Sequence, residues 1–239
     1  MSPRWSIVIP AFNEAQRLPR YLEEVLAYFD GRGEPYEVIV VDDGSTDETA
    51  AAVRALARQH GSLSLLALPR NEGKGAAVRA GMLAARGDYR LFTDADGATP
   101  IGELKRVEPL LMAGAGIVIG SRVLADPAVS VVARRHRVIA GRLFNWLVAR
   151  LGLRGVADSQ CGFKAFHGAV AKELFEPLQT RGFGFDVEVL LRAQGSGHRI
   201  VEVPVNWTDQ PGSKVGVLMH GPGMLTQIAL ARLRARDSR

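Results

Sequence analysis

The chain has 239 residues, a length that suits one large domain or two small ones with a real core; 47% of them are hydrophobic and 23% charged, a globular balance that excludes general disorder. A net charge of +5 fits an anionic partner such as a phosphate, a membrane surface or a nucleic acid, without choosing among them. The single cysteine, Cys161, excludes an intrachain disulfide; the start does not read as a signal peptide and no stretch reaches the roughly 18 apolar residues of a membrane span, so a cytoplasmic protein without a transmembrane segment is expected.

Residues 5–10, WSIVIP, read as a buried strand, and Leu18, Leu22, Val25, Leu26 and Phe29 then fall at helical spacing. YEVIVVDDGSTDET is a second strand running into a turn, where Ser45 or Asp47 is placed to cap the helix TAAAVRALARQH. LSLLAL is a third strand, NEGKGAAVRAGMLAARG a Gly-rich turn feeding a helix, and DYRLFTDADG a fourth strand. AGIVIGSRVL gives one more strand, an amphipathic helix covers residues 138–150, RIVEVPVNW is a late strand, and GMLTQIALARLRARDSR is a C-terminal amphipathic helical segment with a basic tail. This alternation predicts an α/β fold, a mainly parallel central sheet flanked by helices, with ligands beyond the carboxyl ends of the strands. The acidic or polar turns at 13–14, 42–47 and 94–96 fall at those ends.

Each turn has a chemical and a plainer reading. Asp94 and Asp96 stand two apart, on one face of an extended segment, so both could serve one hard cation; the plainer reading is a pair of solvated turn aspartates before Gly97. Asp43 ends an apolar strand, where a carboxylate can accept from a base N–H or a ribose hydroxyl, while Ser45 and Asp47 suit turn and cap duty. NEGKGAA resembles a phosphate-binding turn but lacks both the P-loop and the dinucleotide spacing, which leaves Lys74 either a nucleotide contact or a surface lysine. Between Asp126 and Asp158 there is no acidic residue, yet there are six arginines: Arg134, Arg135, Arg137, Arg142, Arg150 and Arg154. Val138, Ile139, Leu143, Trp146 and Leu147 line the apolar side of that helix, which suits anionic lipid headgroups or a phosphate substrate. Its aromatics are not interleaved with the basic residues as stacking platforms, so no nucleic-acid partner is expected. The histidines show no metal spacing, and Cys161 reads as a packed small residue.

Taken in register, IVIPAFNE, VIVVDDGSTDET, NEGKGAAVRAGM, DADGAT, GSR at 120–122, DSQCGFKAF, GFGFDVEVL and VPVNWTDQPGSKV resemble the family 2 glycosyltransferases of the GT-A fold, in the spelling of their dolichyl-phosphate glucosyltransferase branch. The likeness runs from about residue 5 to 215. It implies one GT-A (Rossmann-like) domain: a nucleotide-binding half at 1–97, an acceptor half at 98–215, and a C-terminal helix and tail at 216–239. It implies an inverting, metal-dependent transferase that moves a hexose, glucose in that branch, from a nucleotide sugar such as UDP-glucose to a polyprenyl phosphate on the cytoplasmic face of a membrane. By position, Pro10, Phe12, Glu14, Val41 and Asp43 would hold base and ribose, with Lys74 beside the nucleotide. Asp94 and Asp96 would serve Mg²⁺ or Mn²⁺ and the diphosphate. Arg122 and Arg137 would meet the acceptor phosphate, and Ser213 and Lys214 would lie in a loop closing over the donor. Three departures stand out: Ala98 falls where the mannosyl branch offers a further metal ligand, Gly141 where it often has serine, and the N-terminal membrane helix of the eukaryotic glucosyl branch is not expected here. A polyprenyl-phosphate mannosyltransferase, a soluble family 2 transferase acting on a sugar hydroxyl, with Asp158, Asp186 or Glu188 as base, and a non-catalytic nucleotide-sugar sensor are the alternatives.

Overall fold

The computed structural model describes residues 2–210 and Arg232, and of residues 135–137, 140 and 142 the backbone alone. In chain order the elements are β1 (Trp5–Ala11), α1 (Leu18–Asp30), β2 (Tyr36–Asp42), α2 (Thr49–Ala57), β3 (Leu63–Ala67), α3 (Lys74–Ala84), β4 (Tyr89–Thr93), α4 (Leu104–Met112), β5 (Ile117–Ser121), β6 (Val131–Val132), α5 (Arg135–Arg150), β7 (Phe163–His167), α6 (Gly168–Phe175), α7 (Phe185–Gly195), β8 (Ile200–Pro204) and β9 (Trp207–Thr208).

Seven strands form one sheet in the order β3-β2-β1-β4-β7-β5-β8, continuous across both expected halves of the chain. Neighbours pair in parallel except at β7, which runs antiparallel to both β4 and β5. The central strand β1 is buried along its whole length, as a parallel strand covered on both faces must be. Its alternation assigns the layers. Ile7 and Ile9 face Leu22, Val25 and Phe29 of α1 and Leu104 and Val107 of α4, whereas Val8 faces Ala77, Val78 and Met82 of α3. Gly81 lets α3 lie close on the sheet, because a Cβ there would stand 2.4 Å from Val8 Cγ1 and 2.8 Å from Val41 Cγ2.

The strand β7 is absent from the sequence reading. Its second residue, Lys164, breaks the apolar run, yet it is buried because its ammonium meets Asp186 Oδ1 and the Cys161 carbonyl, each at 2.5 Å. The helix expected at 138–150 is α5, which begins at Arg135. Its Phe144 and Val148 pack into the core, while Ile139 (69% exposed), Leu143 (58%) and Trp146 (52%) stand clear of it. The expected C-terminal amphipathic helix lies outside the described residues. Among those that are described, no helix is long and apolar enough to cross a membrane.

Candidate functional site

The carboxyl ends of β1, β2 and β4 open onto a cavity of about 350 Å³, lined among others by Pro10, Phe12, Glu14, Arg17, Asp43, Lys74, Asp94, Asp96 and Phe183. Two loops build its floor by satisfying each other's backbone. Asn13, held at φ 54°, receives the Thr46 N–H on its side-chain oxygen at 2.8 Å and gives its own N–H to Ser45 Oγ at 2.9 Å. Asp47 accepts from the N–H of Ala15 at 3.2 Å and of Thr49, the first residue of α2, at 3.0 Å. The capping expected of Ser45 and Asp47 is thus shared with the loop after β1: Ser45 serves that loop, and Asp47 serves both.

Asp43 accepts the N–H groups of Glu72 at 2.7 Å and Gly73 at 2.9 Å, pinning the turn before α3 against β2. Burial raises its pKa above the usual carboxylate range despite those bonds. The first free N–H groups of α3 do not form a phosphate cradle: Gly75 and Ala76 both donate to the Arg181 carbonyl, at 2.6 and 3.1 Å. Among the residues this turn presents to the cavity are Asn71 and Lys74. The Lys74 ammonium sits 2.7 Å from Asp94 Oδ1 and over the rings of Phe92 and Phe183. Burial acts to lower its pKa, but Asp94 and Asp186 outweigh burial and hold it above its ordinary value.

The turn carrying the two aspartates is fixed from several sides. Asp94 N–H donates to the Gly162 carbonyl at 3.1 Å, Ala98 N–H to Asp96 Oδ1 at 3.1 Å, and Thr208 N–H of β9 to the Ala98 carbonyl at 2.9 Å. Gly97 takes φ 63°, with a Cβ position only 2.8 Å from the Tyr21 ring. Burial first, then the charge of Asp94, raises the Asp96 pKa. Arg17 grips Glu14 with Nε at 2.7 Å and Nη2 at 2.5 Å, and its Nη1 reaches to 3.9 Å from Asp96 Oδ2. Each aspartate therefore faces a cation of the chain, Lys74 or Arg17. The two are hard oxygen donors, and among the described residues no group of three His, Cys, Asp or Glu side chains converges as a metal cage.

Toward β5, Arg122 gives Nε and Nη2 to the two oxygens of Asp158, each at 2.8 Å, and lies over the Trp207 ring at 5.4 Å. Burial would lower the Arg122 pKa, but Asp158 raises it well above the ordinary value; Asp158 is itself held low by Arg122 against its burial. Cys161 is fully buried and its thiol is pushed up to about 12, first by burial and then by Asp158, in keeping with a packed residue. The three carboxylates that could have served as a base are all engaged: Asp158 with Arg122, Asp186 with Lys164, and Glu188 with the N–H of Thr180 at 2.9 Å and with Arg192 at 2.9 Å.

Of the residues predicted from sequence, Pro10, Phe12, Glu14, Asp43, Lys74, Asp94 and Asp96 come together around the cavity. Val41 is not among the lining residues: its side chain is fully buried, packed beneath Gly81 of α3. Arg122 does not line the cavity but lies close enough for the charge of Asp94 to act on it. Arg137 belongs to α5, but its side chain, like Ser213 and Lys214 altogether, lies outside the described residues. Arg17, Asn71 and Phe183 line the cavity without having been singled out. The spacing of Glu14 and Arg17, three apart, is the one signal that could have marked Arg17.

The family model described as Glycosyl transferase family 2 matches residues 6–175. A dolichyl-phosphate beta-glucosyltransferase of Drosophila melanogaster is 41% identical over 223 residues, 88% of this chain and 68% of that protein. The corresponding Homo sapiens protein is 37% identical over 227 residues, 88% and 69%. That of Saccharomyces cerevisiae is 33% identical over 249 residues, 95% and 74%. Among solved structures, the fold matches glucosyl-3-phosphoglycerate synthase of Mycobacterium tuberculosis with TM-score 0.71 at 21% identity, over 98% of this chain and 80% of that one. The same enzyme in complex with Mn²⁺, UDP-glucose and glycerol 3-phosphate matches with TM-score 0.67 at 22% identity, again over 98% and 80%. The chain belongs to glycosyl transferase family 2 and is a glycosyltransferase of the GT-A fold.

Proposed function

We propose that this family 2 enzyme transfers glucose, with inversion, from UDP-glucose to the phosphate of a dolichyl-type polyprenyl phosphate. The observation that carries the reading is the pair Asp94 and Asp96 just beyond β4, faced by Lys74 and Arg17, with Arg122 close enough to feel the charge of Asp94. The names of the relatives support glucose and the dolichyl phosphate acceptor. The aspartates fit a divalent ion: they are two neighbouring hard oxygen donors at the cavity, the ion would take the place of the Lys74 ammonium on Asp94, and phosphate oxygens and water would complete the shell. Mg²⁺ or Mn²⁺ bound there would supply Lewis-acid stabilisation of charge developing on the leaving diphosphate. Lys74 lies within reach of the same charge, and Pro10, Phe12, Glu14 and Asp43 form the wall that would take the nucleoside.

The acceptor phosphate brings its own nucleophile. A phosphate monoester has a second pKa of about 6, so at neutral pH its oxygen attacks without a strong protein base. The engagement of Asp158, Asp186 and Glu188 in ion pairs and backbone hydrogen bonds supports this over transfer to a sugar hydroxyl. Arg122 and Arg137 are assigned to hold the acceptor phosphate, since guanidinium binds phosphate bidentately and stays charged. The exposed Ile139, Leu143 and Trp146 of a helix rich in arginine suit a peripheral seat on an anionic membrane. The test is Asp96→Ala: transfer from UDP-glucose should fall to background while the melting temperature holds. Rates near those of the wild type would remove Asp96 from the chemistry.

A further inference from the structure

The surroundings of Arg122 point to a residue whose task is to aim it. Asp158 is fully buried, whereas the Arg122 side chain keeps 29% of its surface exposed. Four donors converge on the Asp158 carboxylate. Oδ2 accepts the Arg122 backbone N–H at 2.9 Å and Nε at 2.8 Å; Oδ1 accepts Nη2 at 2.8 Å and the Gln160 N–H at 3.3 Å. A carboxylate offers about four acceptor sites, so this one has none to spare for a proton from substrate. Asp158 is held in turn: its own N–H and that of Ala157 donate to Glu202 of β8, at 2.9 and 2.7 Å. Trp207 covers one face of the guanidinium.

The inner edge of the Arg122 fork, Nε and Nη2, is thus docked, and one face is stacked. A guanidinium so held keeps its Nη1 donors and the second Nη2 donor along the outer edge, a second fork suited to two phosphate oxygens. We propose that Asp158 is a positioning residue which, with Trp207, sets the outer edge of Arg122 toward the acceptor phosphate. This rests on the reading of Arg122 as an acceptor contact. Without Asp158 the arginine keeps its charge and loses its aim, and displacement of a binding group by ~1 Å is worth ~10²-fold in rate.

The experiment compares Arg122→Gln, Asp158→Asn, their double variant, Trp207→Leu and Trp207→Phe, in steady-state kinetics with a short polyprenyl phosphate and in calorimetric titration with UDP-glucose. Asp158→Asn should raise the acceptor KM roughly 10–100-fold and leave the UDP-glucose Kd unchanged. The double variant should be no worse than Arg122→Gln alone, because both act through one contact. Trp207→Leu should raise the acceptor KM several-fold, and Trp207→Phe should restore it; this pair decides the matter if Asp158→Asn does not fold. If Arg122→Gln raises the acceptor KM while Asp158→Asn and Trp207→Leu leave it unchanged, the positioning role is overturned and the Arg122 reading stands. If Arg122→Gln itself leaves the acceptor KM unchanged, the Arg122 reading fails and takes the proposal with it. A loss of kcat in a folded Asp158→Asn with unchanged acceptor KM, or a loss of UDP-glucose affinity in its place, also overturns it.

Discussion

Gly162 sits directly under Asp94. A Cβ on residue 162 would stand 1.9 Å from Asp94 Oδ2, 2.3 Å from Cγ and 2.7 Å from Oδ1, where Cβ contacts under 3.0 Å essentially never occur. Gly162→Ala must therefore drive the carboxylate back by about 1 Å or more. The obstacle is the end of a short side chain and not backbone, so the strand can stay where it is. The backbone bond from Asp94 N–H to the Gly162 carbonyl survives, and φ at Gly162 is one that alanine adopts. The cost should fall on the chemistry: Asp94 leaves the Lys74 ammonium at 2.7 Å and its alignment with Asp96. A displacement of ~1 Å in a reacting geometry costs ~10²-fold, or about 2.7 kcal/mol of transition-state stabilisation. The assay is kcat/KM for UDP-glucose at saturating polyprenyl phosphate, with the melting temperature measured on the same preparation. A variant that melts and turns over like the wild type would refute the reasoning, since Asp94 would then have no required position.

Two further outcomes are expected. Arg137→Ala should raise the KM for the polyprenyl phosphate and leave the UDP-glucose Kd as it was; unchanged acceptor kinetics would take Arg137 out of the acceptor site. Replacing the exposed Ile139 and Leu143 together by aspartate should abolish co-flotation with vesicles rich in anionic lipid, because the change removes apolar area and adds repulsion at the proposed membrane face. Undiminished flotation would place the contact elsewhere.

How much of this was legible in the sequence differs by region, for physical reasons. The strands β1 and β2 announce themselves because each is an apolar run buried almost throughout and ends in a polar turn; β3 and β4 are shorter apolar runs that are only partly buried. The aspartates at 43, 94 and 96 could be placed at one rim because in a parallel sheet those turns share a side. The strand β7 was hidden because its buried Lys164 is neutralised by Asp186, a partner 22 positions on that spacing does not reveal. Val41 was assigned to the nucleotide by its place in a motif, whereas its side chain is fully buried under α3, a packing that the motif does not reveal. The plain Asp158 and Glu202 gave no sign that one holds Arg122 and the other holds the first, since that relation exists only once β5 and β8 lie side by side. The likeness of NEGKGAA to a phosphate loop did not show that the N–H groups of Glu72 and Gly73 go to Asp43 and those of Gly75 and Ala76 to the Arg181 carbonyl.

The central claim is that the acceptor is a lipid phosphate whose own oxygen attacks, in a metal-dependent reaction centred on Asp94 and Asp96. The most direct measurement follows label from radioactive UDP-glucose into the organic phase, offering polyprenyl phosphate and the matching polyprenol in parallel, with Mg²⁺ or Mn²⁺ and with EDTA. The account predicts transfer to the phosphate alone, abolished by EDTA. Transfer to the polyprenol, or transfer to the phosphate that EDTA does not touch, would contradict it.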